Sequence, residues 1–102
     1  MCQIFASQLP ATYCYVTRSV RLNGYCTSIK LEAKFWAILE EIARGEGIAL
    51  PAFLSTLHDE AEAIHGEVKN FASLLRCTCL IYLTDVRGGV RPARAADALA
   101  FG

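Results

Sequence analysis

The chain has 102 residues, of which 54% are apolar and 20% charged, with ten Lys and Arg against ten Asp and Glu. That is room for one small globular domain, and it excludes large enzymes, solenoids and disordered chains. No apolar run approaches the ~18 residues a membrane span needs, and a formal net charge of zero lacks the basic excess usual in nucleic-acid binders.

In chain order, residues 1–17 show no clean period. Pro10 and several small residues predict an irregular N-terminal arm. Val20 and Leu22 then alternate with Arg21, and Asn23-Gly24 marks a turn. After it, Ile29 and Leu31 fall on one face and Ser28 and Lys30 on the other, which is the period of a short strand. Two strands joined at Asn-Gly allow a hairpin. Alternatively, only the second strand is regular and it pairs with another chain. Residues 33–45 carry Phe35, Trp36, Leu39, Ile42 and Ala43 at helical spacing, with Gly45 and Gly47 as the stop. A second helix is predicted over about 50–64, its stripe made of Leu50, Phe53, Leu54, Leu57, Ala61 and Ile64, with Pro51 in the first turn. A third is predicted over 70–85 with Asn70 as N-cap. Phe71, Leu74, Leu75, Thr78 and Tyr82 face one way, and Cys77, Leu80 and Ile81 fill much of the rest. A helix apolar nearly all round must be buried on more than one side. Residues 86–102, with three glycines, one proline and three arginines, read as a flexible tail.

Small domains bury only ~60% of the surface their unfolded chains expose, so a chain this apolar is expected to form a homo-oligomer, a dimer or a tetramer. Charge is segregated along it: residues 1–34 sum to +3, residues 35–68 to −6 and residues 69–102 to +3. The five cysteines (Cys2, Cys14, Cys26, Cys77, Cys79) match no metal or C-x-x-C redox spacing and read as reduced, buried structural thiols. The first 17 residues contain no Lys or Arg, so the positive n-region of a signal peptide is missing and a cytoplasmic location is expected. His58 and His65 form no H-E-x-x-H pattern and read as surface histidines. No phosphate loop precedes a helix and no nucleophile stands in a recognised context. No enzyme, metal or cofactor is expected.

The order strand, helix, glycine turn, helix carries the functional information. The stretch Thr27-Ser28-Ile29-Lys30-Leu31-Glu32-x-x-Phe35-Trp36-x-x-Leu39-x-x-Ile42-Ala43-x-x-x-Gly47-Ile48 resembles a ribbon-helix-helix domain. More narrowly, it resembles a bacterial subgroup reading about R-S-V-x-L-x-G-x-x-T-S-I-x-L-E-x-x-F-W, with N-F/L-x-S-x-L-R further on. Here those segments are Arg18 to Gly24, Thr27 to Trp36 and Asn70 to Arg76. The resemblance implies a mainly α fold in which a short β-strand pairs across a homodimer above two helices, with an additional C-terminal helix. It divides the chain into an arm (1–17), a domain (18–85) and a tail (86–102). It also implies a dimeric DNA-binding repressor, or the DNA-binding antitoxin of a toxin–antitoxin pair.

Carried over by position, the outward strand residues Cys26, Ser28 and Lys30 become the base readers. Lys30 can donate to guanine O6 and N7 and Ser28 can donate or accept, whereas Cys26 is a weak donor. Arg18 and Arg21 suit phosphates, as do backbone N–H groups at the start of the second helix, at Ala49 and Leu50. There the family's Ser or Thr cap is replaced by Ala49, and Pro51 removes a donor. Both departures predict modest DNA affinity, and the acids of 35–68 are expected on the face away from the ribbon. Ile29, Leu31, Phe35, Trp36, Leu39, Phe53 and Leu57 are the expected dimer core, with Trp36 beside the main stripe and packing across subunits. The leading expectation is a transcriptional regulator that binds double-stranded DNA as a homodimer by inserting a two-stranded ribbon into the major groove. The alternatives are a protein-interaction module or antitoxin on the same dimer, with a protein partner and weak DNA affinity, and a thiol sensor using Cys26 or the Cys77/Cys79 pair.

Overall fold

A computed structural model of the chain describes residues 2–86. Two short helices, α1 (Cys2–Ala6) and α2 (Pro10–Tyr13), lead into two strands, β1 (Tyr15–Leu22) and β2 (Tyr25–Glu32). Three helices follow, α3 (Ala33–Glu46), α4 (Leu50–His65) and α5 (Phe71–Ile81), and the last runs into a π-helical turn over Tyr82–Val86. This is the expected mainly α fold with an additional C-terminal helix. The tail expected over 86–102 lies, from residue 87 on, outside the described residues.

The segment expected to be irregular is more ordered than its sequence period implied. Pro10 opens α2, where its missing N–H costs nothing. The Cys14 N–H closes that turn on the Pro10 carbonyl at 3.0 Å, and the Cys14 carbonyl accepts from Ala33 N–H at 2.8 Å. The arm is thereby tied to the start of α3. β1 begins at Tyr15, inside the stretch assigned to the arm.

The hairpin that the sequence allows is formed within the chain. Asn23 and Gly24 take φ of 52° and 81°, the pair of left-handed values that a two-residue turn needs to match strand twist. The antiparallel register follows from that turn: Leu22 faces Tyr25, Arg21 faces Cys26, Ser19 faces Ser28 and Thr17 faces Lys30. One edge of β2 is thus satisfied by β1, and no described strand lies on its other edge.

Period two sorts the hairpin into faces. Val20, Leu22, Ile29 and Leu31 enter a core with Trp36, Ile38, Leu39, Ala43, Leu50, Leu54, Leu75 and Cys79. The residues expected to form a core between two chains lie in or against this single-chain core: Ile29, Leu31, Trp36 and Leu39 within it, Phe35, Phe53 and Leu57 packed on it. Trp36 corrects the expectation that it packs across subunits. It is 2% exposed, and its indole N–H donates to the Val16 carbonyl at 2.8 Å, tying β1 to α3. A buried indole needs such a partner. Ile38, off the recognised stripe, is buried as well.

The helix boundaries follow local chemistry. Gly47, at φ 73°, caps α3 through its N–H on the Ala43 and Arg44 carbonyls. Asn70 caps α5, its side chain accepting from Ser73 N–H at 3.1 Å. Ala49 is the N-cap of α4 and makes no side-chain cap. On α5, Leu75 and Cys79 are buried while Leu80 and Ile81 stay about half exposed, at 54% and 52%. Its apolar circumference is only partly covered in one chain.

Candidate nucleic-acid interface

The outer face of the hairpin presents three rungs: Thr17 beside Lys30, Ser19 beside Ser28, and Arg21 beside Cys26. All six side chains are exposed. The structure therefore brings together the expected base readers Cys26, Ser28 and Lys30, and adds Arg21 to them. The Lys30 ammonium lies over the Tyr15 ring, 4.6 Å from its centroid. A cation–π contact at an exposed site is worth roughly 0.5–1 kcal/mol, little enough for Lys30 to leave.

Arg18 does not join this face. It shares parity with Val16 and Val20, points to the helical side, and pairs through Nη1 with Glu40 Oε1 at 2.9 Å. Its guanidinium also stacks 4.9 Å from the Trp36 ring centroid. The signal was present in the sequence, since alternation with Val20 and Leu22 already assigns position 18 to the inner face. Thr17 and Ser19, which sequence reasoning passed over, were legible by the same parity as outer-face residues.

The second expected anchor stands apart. Ala49 is exposed, Leu50 is buried, and the Ala49 carbonyl accepts from Phe53 N–H at 3.0 Å. The other end of α4 meets the hairpin turn, where the Asn23 amide donates to both carboxylate oxygens of Glu62 at 3.2 Å. From Glu62 back to Leu50 is about 18 Å of helix.

Acids are managed around the ribbon. Glu32 is the first acid in the chain, so none lies among the six outer residues. Its carboxylate accepts from Arg76 Nε at 3.1 Å, with Nη2 in ion-pair contact at 3.1 Å. Its own backbone N–H holds its carboxyl below the usual carboxylate range, opposed by desolvation and helped by Arg76. Glu62 departs from the expectation that the acids of 35–68 lie away from the ribbon, because the exposed Asn23 amide at the turn draws it there.

The thiols and histidines also differ from expectation. Cys79 alone is buried, while Cys2, Cys14, Cys26 and Cys77 are exposed. Burial pushes the Cys79 thiol up to about 11. Cys77 and Cys79 are two apart on α5 and do not face each other, so they form no sensor pair. His65 is exposed at the end of α4. His58 is half-buried, edge-on to Phe71 at 5.0 Å, because α5 lays that ring against α4. Among the described residues, no group of three His, Cys, Asp or Glu is placed to hold a metal ion. No described helix is long and apolar enough to cross a membrane.

The sequence profile described as the ribbon-helix-helix domain matches residues 15–83, from the start of β1 into the π turn. The chain belongs to the ribbon-helix-helix family. Ribbon-helix-helix domains are DNA-binding folds and not catalytic ones. Among solved structures, an uncharacterized protein from Bordetella pertussis Tohama I is similar, at 39% identity and a TM-score of 0.83. The match covers 98% of this chain and 85% of that one. No curated protein matches the chain. Within the ribbon-helix-helix unit, three outer rungs of the hairpin carry no acid and offer side chains suited to base edges and phosphates, and the acid of the next rung, Glu32 opposite Tyr15, is paired with Arg76.

Proposed function

We propose that this chain is a homodimeric, sequence-specific DNA-binding protein of the bacterial cytoplasm that regulates transcription as a repressor. The outer face of its ribbon enters the major groove, a passage wide enough for a two-stranded β-ribbon. Ser28 and Lys30 read base edges, Cys26 makes a weaker contact, and Arg21 holds phosphate. Arg18 contributes only if it leaves Glu40. The N–H groups at Ala49 and Leu50 give a second phosphate contact, weakened by the missing cap and by Pro51. The observation that carries this reading is the set of three polar, exposed outer rungs of the hairpin, Thr17–Lys30, Ser19–Ser28 and Arg21–Cys26, in a family whose fold binds DNA.

Dimerisation is supported by apolar surface left uncovered in one chain. Leu80, Ile81 and Val86 are exposed, and Ile81 and Val86 line a cleft of about 450 Å³ with Ile42, Phe53, Leu57 and Tyr82. The same cleft favours the second reading, a protein-interaction module or antitoxin that uses the dimer to hold a protein partner.

Capture of sheared genomic DNA from the source organism, at near-physiological salt, tests the proposal. The wild type enriches a short palindrome, Lys30→Ala loses that enrichment, and binding falls steeply as salt rises. No enrichment, or enrichment unchanged in Lys30→Ala, favours the protein-interaction reading.

A further inference from the structure

The outer row of β2 does not stop at Lys30. Side chains alternate along a strand, so Cys26, Ser28, Lys30 and Glu32 share one face, and Glu32 lies about 6.6 Å beyond Lys30 from Cα to Cα. The register sets Glu32 across from Tyr15, the residue whose ring carries the Lys30 ammonium 4.6 Å from its centroid. A carboxylate in that place works against a DNA-binding row in two ways. It repels phosphate, and it competes with a base edge for the lysine beside it. In this structure it does neither, because Arg76 of α5 has taken it: Nε and Nη2 both lie 3.1 Å from Oε1. Lys30 keeps no ion pair among the described residues.

We propose that Arg76 is a positioning residue for DNA binding: by holding Glu32 it leaves the Lys30 ammonium free to read a base and keeps a bare negative charge off the row that faces the groove. This rests on the DNA-binding reading above and gives the additional helix α5 a part in it. Three observations carry it. First, Glu32 is the one acid of the hairpin and stands next to Lys30 on its outer row. Second, Arg76 is the one side-chain partner of that carboxylate among the described residues. Third, the guanidinium is brought there by packing. On either side of Arg76, Leu75 and Cys79 are 0% exposed, and the Cys79 thiol donates to the Phe35 carbonyl at 3.6 Å. α5 is thereby seated beside the last residue of β2. The two side chains of the pair are 32% and 28% exposed, a setting in which an ion pair adds little to stability. Its effect on DNA binding is therefore separable from its effect on folding.

The experiment is sequence selection from a random duplex library by the full chain and by Arg76→Gln, Arg76→Lys, Glu32→Gln, the Glu32→Gln/Arg76→Gln double variant and Lys30→Ala. Affinity for the selected duplex is measured in parallel, with circular dichroism to show that each variant folds. Arg76→Gln is expected to weaken binding roughly tenfold, the order of one lost base contact, and to lose the same base preference that Lys30→Ala loses. Arg76→Lys, which keeps the charge, retains that preference. The double variant returns to within about threefold of the wild type, a rescue that a merely structural role for Arg76 would not give. Glu32→Gln alone, which frees Arg76 for phosphate, binds more tightly than the wild type. If Arg76→Gln selects and binds as the wild type does, if the double variant stays as weak as Arg76→Gln, or if Glu32→Gln binds less tightly, the inference falls and the DNA-binding reading stands. If the wild type selects no sequence, both fall.

Discussion

Trp36 is the side chain through which the hairpin and the helices hold each other, so its replacement tests the packing argument directly. Trp36→Phe removes the indole N–H that donates to the Val16 carbonyl at 2.8 Å, a net loss of about 0.5–1.5 kcal/mol. It also removes part of a side chain that is 2% exposed. The lost burial and the space left behind add roughly 1–2 kcal/mol. Together the expected loss is about 2–3 kcal/mol, or a fall in Tm on the order of 10–20 °C for a chain of this size. Trp36→Ala, which empties the site, is expected to cost about 3–5 kcal/mol. Urea unfolding followed by far-ultraviolet circular dichroism measures both, at one fixed protein concentration because association shifts apparent stability. A cost below about 0.5 kcal/mol for Trp36→Phe, the range of an ordinary surface substitution, would refute the claim that Trp36 joins β1 to α3.

Three further outcomes are expected. Ala49→Ser supplies the missing cap of α4 at a residue already in extended conformation, and is expected to raise stability by about 1 kcal/mol and to tighten DNA binding; no gain in denaturation midpoint would count against the assignment of Ala49 as N-cap. Glu32 has a depressed folded pKa, so its contribution is present above the unfolded value and lost as pH falls through the folded one. Glu32→Gln should therefore be less stable than wild type at neutral pH and should converge with it in strong acid, as acid titration of the unfolding midpoint would show. Cys79, buried and raised to about 11, should resist alkylation at pH 8 in the native chain while Cys26 and Cys77 react; mass mapping that finds Cys79 labelled as fast as Cys77 would contradict its burial.

Much of this fold was legible because its elements have local signatures. α3, α4 and α5 announce themselves through apolar spacing, and Gly47 and Asn70 mark boundaries through backbone conformation and capping chemistry that involve only near neighbours. What the sequence left open were non-local facts. Asn23-Gly24 permits a hairpin, but whether β2 pairs with β1 or with another chain depends on competition between contacts that no short-range pattern records. Trp36 sits where its helical phase is ambiguous, and only the position of Val16 shows that it faces inward. The arm looked irregular because α1 and α2 are too short to show a period; α2 packs on α3. The candidate site was half visible. Ser28, Lys30 and Cys26 followed from strand parity and the family resemblance. The same parity, applied to β1, places Thr17 and Ser19 outside and Arg18 inside.

The zero net charge, set against DNA binding at the level of composition, has less force once charges are placed in space. At physiological salt the Debye length is ~8 Å, so a phosphate at the ribbon responds to charges near it and not to the sum over the molecule. Near the ribbon are Arg21 and Lys30, and two acids there are matched by cations, Glu32 by Arg76 and Glu40 by Arg18, while Glu62 and Glu67 stand at the turn end. The Arg18–Glu40 pair is part of the same device. On the inner side of the sheet, Arg18 holds an acid of α3 beneath the hairpin. A neutral chain built this way presents a locally positive edge, and its binding to DNA should be steep in salt despite its balanced composition.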